Sequence, residues 1–187
     1  MVWKYNGRII GEGKPWKDDN GVQHPSNWHI WPTDHKKAMG MIEVIYETAP
    51  DSRLYTWSYN TDGTVNKTAK KLDDEDAKDS DGNLIKDENG KQVINHGVKW
   101  ILKREVSDQQ YKILAQTDWV VIRKADKGTA IPSDIQTYRD AVRTKGDSMK
   151  TSIDNAADTN AIEALFITYD KAGKKTGILY EWPVLEE

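Results

Sequence analysis

The sequence predicts an α+β fold, and three observations carry that prediction. Through residue 102 the apolar residues come in short runs broken by Gly, Pro and Asn-Gly turns. From 104 to 165 they recur at helical spacing. From 166 to 184 two apolar runs flank a Lys- and Gly-rich turn. Short runs between turns read as strands and 3.6-period stripes as helices, and their segregation along the chain separates α+β from an alternating α/β pattern. The expected division is a β-rich, Trp-containing domain over 1–102 and a helical module with a terminal hairpin over 103–187. The step near 103 is a change in composition rather than a flexible linker.

Val2, Trp3 and Tyr5 precede Asn6-Gly7 and then Arg8-Ile9-Ile10. Both central residues of a type I′ turn need positive φ, so Asn-Gly between apolar runs predicts a hairpin. Residues 11–33 carry Gly11, Gly13, Pro15, Asn20-Gly21, Pro25 and Pro32, and four of the eight Trp lie in residues 1–31. A long helix is excluded there, and a compact loop pinned by buried indoles is expected. Thr33 is a cap for a short helix over 34–39, with Asp34 at the positive end of its dipole and Gly40 ending it. Residues 41–47 read as a strand, Pro50-Asp51 turns the chain, and 54–59 alternate like a half-buried strand. Residues 60–92 are the least hydrophobic part, and 67–81 read as a solvated loop or an extended excursion. Asp81-Gly82 and Asn89-Gly90 recur eight residues apart and predict two turns flanking short strands at Leu84-Ile85 and Val93-Ile94. Residues 98–102 are a further strand candidate.

Ser107 and Gln110 have capping-box spacing ahead of Tyr111, Ile113, Leu114 and Ala115, which predicts a helix of about ten residues ending before Trp119. Pro132-Ser133 opens a second helix with the stripe Ile135, Tyr138, Val142, Met149, Ile153 and Ala157, and Gly146 is a point of kinking or interruption. Thr159 caps a third helix through Leu165. Residues 166–169 and 178–182 form the terminal hairpin.

At 187 residues the chain has room for one domain or two small ones. A net charge of -3 and a pI of 5.8 give no electrostatic footprint for nucleic acid. Mean hydropathy is low, -0.80, yet 8 Trp and 8 Tyr stand against one Phe. The apolar surface is therefore concentrated in amphipathic aromatics, which suit interfaces and small β-domains. With no cysteine there is no disulfide framework, thiolate metal site or thiol nucleophile, a composition that fits a reducing cytoplasm. The first residues lack an uninterrupted apolar core, so no signal peptide is expected. No apolar run approaches the ~20 residues of a membrane span, so no membrane partner is expected.

No catalytic, cofactor or metal motif stands out. His24, His29 and His35 with Asp18, Asp19 or Asp34 have loose spacing that matches no helix-borne ligand pattern. An EF-hand register on Gly82 places Asp79, Asp81 and Glu88 at ligand positions but leaves Ala77 at the first. The carboxylates of 73–88 read as hydrated, and Ser26 and Ser58 lack a nucleophile-elbow glycine pattern. The expectation is therefore a non-enzyme with no cofactor and no metal. Trp16, Trp28, Trp31 and Trp57 are candidates for a carbohydrate-stacking platform, weighed against a role as core or interface rings. Arg123, Arg139 and Arg143 are candidates for a docking face, weighed against intrachain pairing with Asp118, Asp134 or Asp140.

The most specific stretch is 117–143, TDWVVIRKADKGTAIPSDIQTYRDAVR. Its Thr117, Asp118, Trp119, Arg123, Gly128, Ile131, Pro132, Tyr138, Arg139 and Arg143 resemble the C-terminal segment of tailed-bacteriophage tail-fibre assembly proteins and related tail assembly chaperone-like proteins. The resemblance covers roughly 105–145. The segment 16–31 is also similar to a Trp/His/Pro stretch of marine phage reading frames of unassigned role. This chain departs from the assembly proteins by its β-rich first hundred residues and its terminal hairpin. The resemblance implies a non-catalytic phage protein that binds a tail-fibre, baseplate or tail polypeptide through Trp119, Arg123, Tyr138, Arg139, Arg143, Trp28 and Trp31. It implies a place in the host cytoplasm during assembly, or in the virion tail. A permanent structural subunit of tail or fibre is the alternative within that class, and a glycan-binding module using exposed Trp is the alternative outside it. Homo-oligomerisation is compatible with each.

Overall fold

Strand β1 (Val2–Tyr5) returns as β2 (Arg8–Ile10) through Asn6 and Gly7, whose φ of 46° and 77° meet the type I′ requirement. The computed structural model describes residues 2–169 and 171–185. After the hairpin come β3 (Trp16–Lys17), β4 (Gln23–His24), a 3-10 turn (Ser26–Ile30), α1 (Thr33–Ala38) and β5 (Met41–Val44). Strand β5 pairs antiparallel with the other side of β1, giving the order β2-β1-β5. Trp3, Ile10, Trp28 and Met41 form a core against which Tyr5, Trp16, Trp31 and Met39 pack. Trp28 is fully buried and its Nε1–H donates to the Lys14 carbonyl at 3.0 Å, so the expected pinning of the loop by an indole is present. Lys36 is buried above the Trp3 ring at 4.9 Å and donates to the His29 carbonyl at 2.6 Å. Thr33 is the first residue of α1 rather than its cap; Pro32 precedes it and no side chain caps the helix. Strands β6 (Tyr55–Tyr59) and β7 (Val65–Ala69) form a separate two-stranded sheet.

The polar stretch folds by local rules. Asp79 Oδ1 accepts from the amides of Asp81 and Asn83, and Asp87 Oδ1 accepts from those of Asn89 and Lys91. Each turn closes through glycine in the left-handed region, Gly82 at φ 85° and Gly90 at 75°. The two hairpins and the stem pair β8 (Glu75–Asp76) and β9 (Ile94–Asn95) meet at residues eight apart. There the Ile85 amide donates to the Ala77 carbonyl, Val93 to Ile85, and Ala77 to Val93, at 2.8–2.9 Å. A closed ring of backbone bonds thus joins three arms. Of the two expected strands, Leu84 forms an isolated bridge with Lys78 and Ile94 lies in β9, while Ile85 and Val93 belong to the ring.

Residues 98–102, a strand candidate by sequence, begin an 18-residue helix, α2 (Val98–Ala115). A short apolar run fits either state, and tertiary contacts decide it. Val98, Leu102 and Val106 recur every fourth residue and are all buried. The Val98 and Lys99 amides donate to the Lys71 and Leu72 carbonyls, and the Gly97 amide donates to Asp74 Oδ1 at 2.8 Å. This capping supplies the helix start that the capping-box reading put at Ser107, which is mid-helix and donates to the Lys103 carbonyl. It also draws the polar arms into the helical part: the two compact units are 1–68 and 69–187, so the boundary differs from the expected 102/103.

Three helices follow: α3 (Asp118–Lys127), α4 (Ser133–Asn155) and α5 (Thr159–Glu163). Antiparallel α2 and α4 are tied by Lys103–Asp154 at 2.6 Å near one end and by Arg139 and Leu114 near the other. Gly146 does not interrupt α4. A Cβ there would meet the Gln110 side chain, whose Nε2 donates to the Val142 and Arg143 carbonyls. Asp158, not Thr159, caps α5 by accepting from the Ala161 amide at 2.8 Å. The chain ends with the pair β10 (Thr168–Tyr169) and β11 (Lys175–Thr176) and a segment bonded to α2 through Tyr180–Glu105 and Trp182–Gln109. The architecture is α+β, with small sheets first, helices next and a strand pair last.

Candidate functional site

The corner between α2 and α3 is built around one guanidinium. Arg139, from the second turn of α4, is buried, and its Nη1 donates to the Leu114 carbonyl at 2.8 Å and the Thr117 hydroxyl at 2.6 Å. Its Nη2 donates to Asp118 Oδ1 at 2.8 Å. Leu114 lies at the carbonyl end of α2 and Asp118 in the first turn of α3, so a cation and an anion each sit where the local helix dipole favours them. The planar fork of arginine reaches the three acceptors from two nitrogens held apart, a spread that lysine's single ammonium does not match. This places the Thr-Asp and Tyr-Arg parts of the 117–143 motif together.

With Asp118 fixed and Val120 buried, α3 forms despite its Val-Val-Ile run, whose β-branched side chains disfavour helix. Gly128, at φ 69°, ends it, and the Gly128 amide donates to the Lys124 carbonyl. The opposite face is left outward. Trp119 is 54% exposed and Ile122 66%, one turn apart on α3. The Arg123 guanidinium lies 4.9 Å from the Trp119 ring centroid, close enough for a cation–π contact, and its Nε–H is buried without a protein partner. A large indole, a branched aliphatic and a cation at positions i, i+3 and i+4 make a helix-borne anchor face.

The other expected partner residues scatter. Arg143 is exposed and ion-paired with Asp140 at 2.8 Å. Tyr138 is half-buried and lines a groove of about 460 Å³ with Thr137, Ala141, Pro183 and Val184. Arg139 and Trp28, expected at a partner face, are corrected: both side chains are buried and their polar atoms are bonded within the chain. Trp31 is half-buried and edge-on to His24 and His35. A fully buried Trp28 offers no stacking face to a sugar, so the Trp platform loses one of its four members. Ile122 was not among the sequence candidates; its i+3 spacing from Trp119 is the signal that identifies it.

The remaining polar candidates are engaged locally. His24 Nε2 lies 3.2 Å from Asp18 Oδ2, and the His24 ring stacks on Trp16 with centroids 4.2 Å apart. Asp18 Oδ1 accepts from the Val22 and Asn20 amides. The Val22 bond first, then the His24 contact, hold its carboxyl below the usual aspartate value. His29 Nδ1 lies 3.1 Å from the Ser26 carbonyl. Asp79, placed at a calcium-ligand position by the EF-hand register, spends Oδ1 on its own turn, and the Asn83 amide lowers its pKa. The Gly97 amide, with His96, does the same for Asp74. Among the described residues no helix is long and apolar enough to cross a membrane. No protein-family model, known protein or solved structure gives a match to the chain.

Proposed function

We propose that this chain is a non-catalytic bacteriophage tail-associated protein that binds a tail-fibre, baseplate or tail polypeptide, during assembly in the host cytoplasm or in the virion tail. The phage assignment rests on the resemblance of residues 105–145. The observation that supports binding there is the face of α3 on which exposed Trp119 and Ile122 stand beside half-buried Arg123. An exposed indole, held under the Arg123 guanidinium and next to an exposed isoleucine on a helix fixed by a buried arginine, is an anchor whose site is pre-organised. Arg139 acts by positioning α3.

Co-expression with the neighbouring fibre gene tests the reading. Omitting the protein should lower soluble fibre yield or change particle composition, and no change in either would sink both the assembly and the structural versions. Trp119→Ala should abolish capture of the fibre polypeptide while costing about 1 kcal/mol of stability, the size of an exposed cation–π contact, and leaving the fold intact. Mass spectrometry of purified particles separates the versions: stoichiometric presence marks a permanent subunit, and absence marks a chaperone.

A further inference from the structure

A second binding feature lies in the N-terminal unit. Strand β2 is an edge of its sheet. Its register sets Tyr5 against Arg8 across a two-residue turn, Lys4 against Ile9, and Trp3 against Ile10. Bonded and non-bonded pairs alternate in an antiparallel ladder, and the pair closing a two-residue turn is bonded. Arg8 and Ile10 therefore bond to β1, and the N–H and C=O of Ile9 point to the free edge. Beside that edge is a cavity of about 390 Å³ whose far wall is Lys14, Pro15, Trp16 and Lys17. Arg8, Lys14 and Lys17 are exposed and make no ion pair among the described residues. The acid in the lining, Asp19, is already bonded by the Asn6 side-chain amide. Trp16 adds a buried Nε1–H with no protein partner.

We propose that this groove binds an extended acidic segment of another polypeptide, which adds to the edge at Ile9 and sets alternate carboxylates against Arg8, Lys14 and Lys17. Three unpaired cations select negative charge, and the open backbone pair of Ile9 selects an extended main chain over a free anion. The edge offers one residue's pair of bonds, so charge carries much of the affinity, and added salt weakens binding. The site belongs to the 1–68 unit and does not depend on the α3 face.

Fluorescence anisotropy of the whole protein with a labelled peptide of alternating Glu and Thr tests this. A Glu-Pro peptide of equal charge is the control, because proline has no N–H to pair. The Glu-Thr peptide should bind at least about tenfold more tightly than the control. Arg8→Glu with Lys14→Glu should weaken it by about tenfold or more. Ile9→Pro should reduce it to the control's level; proline is tolerated on an edge strand where its N–H is not in the ladder. Retention of the native tryptophan emission spectrum verifies folding of each variant. Equal binding of the two peptides shows a charge effect alone and overturns the proposal. So does absence of binding, or full binding by the double charge reversal.

Discussion

Two regions of the 69–187 unit are rich in charge and are built in opposite ways. The two turns within 74–97 are held by bonds between near neighbours, since each turn aspartate caps amides two and four residues on, and a backbone ring joins them to the stem. The α2–α3–α4 corner depends on one side chain whose acceptors lie 21 to 25 residues away. Redundant local bonds spread the load, so loss of one turn leaves the bonds of the other turn in place. A single long-range clasp concentrates it, so the corner has one point of failure, and the exposed Trp119 face stands on that corner.

Arg139→Ala therefore carries the largest expected effect. It removes the charged donor from the Leu114 carbonyl, the Thr117 hydroxyl and the Asp118 carboxylate, leaves the first two bonded only to each other and to the Thr117 amide, and opens a void between helices. Asp118 is about half exposed and can recover water, which brings the cost below that of a fully buried pair, to about 2–4 kcal/mol in urea unfolding. Arg139→Lys should recover only part of it, since one ammonium replaces a three-acceptor fork. A loss below about 1 kcal/mol for the alanine variant would mean that the corner is held elsewhere. Gly82→Ala probes the other region. No atom lies near enough to obstruct a Cβ, so the cost is that of a left-handed backbone alone, about 1–2 kcal/mol. It should appear as faster exchange of the Asn83 and Asp79 amides, with the global unfolding midpoint unchanged. A lowered global midpoint would show that the arm belongs to the cooperative core.

The same contrast separates what could be read in the sequence from what could not. Asn6-Gly7, Asp81-Gly82 and Asn89-Gly90 predict their turns because the chemistry that makes each turn lies within it. The long stripe after Ser133 predicts α4, since Val142, Met149 and Ile153 repeat on one face. Residues 98–102 read as a strand because a run of five with four apolar residues fits both periods, and the carbonyls of Lys71 and Leu72 that favour the helix are remote. Gly146 reads as a break, whereas its purpose is to admit Gln110 from another helix. Arg139 carried both readings, docking and pairing with Asp118, and no sequence rule chooses between partners a helix apart. Trp119 and Ile122 are visible as apolar residues, but their exposure follows from Val120 and Asp118 taking the inward side of α3.

The smallest expected effect is the response to acid, and it sets the two regions apart by chemistry rather than by strength. Asp79 is held below the usual aspartate value by the amide and side chain of Asn83 and then by the amide of Asp81. Its folded pKa is thus lower than its unfolded one. The contribution of the turn is complete above the unfolded value of about 3.9 and is lost as pH falls through the folded value. Amide shifts of Asp81 and Asn83 should therefore move on acidification below about pH 4, and Asp79→Asn should abolish that titration while retaining an acceptor for the turn. The bonds from Arg139 to the Leu114 carbonyl and the Thr117 hydroxyl involve no carboxylate. In Asp118→Asn, which removes the carboxylate of the corner, the Thr117 amide, which donates to the same Leu114 carbonyl at 3.0 Å, should hold its shift over the pH range in which the arm titrates. Simultaneous movement of both sets would show that the arms and the corner open as one unit, and would remove the distinction between a distributed and a concentrated scaffold.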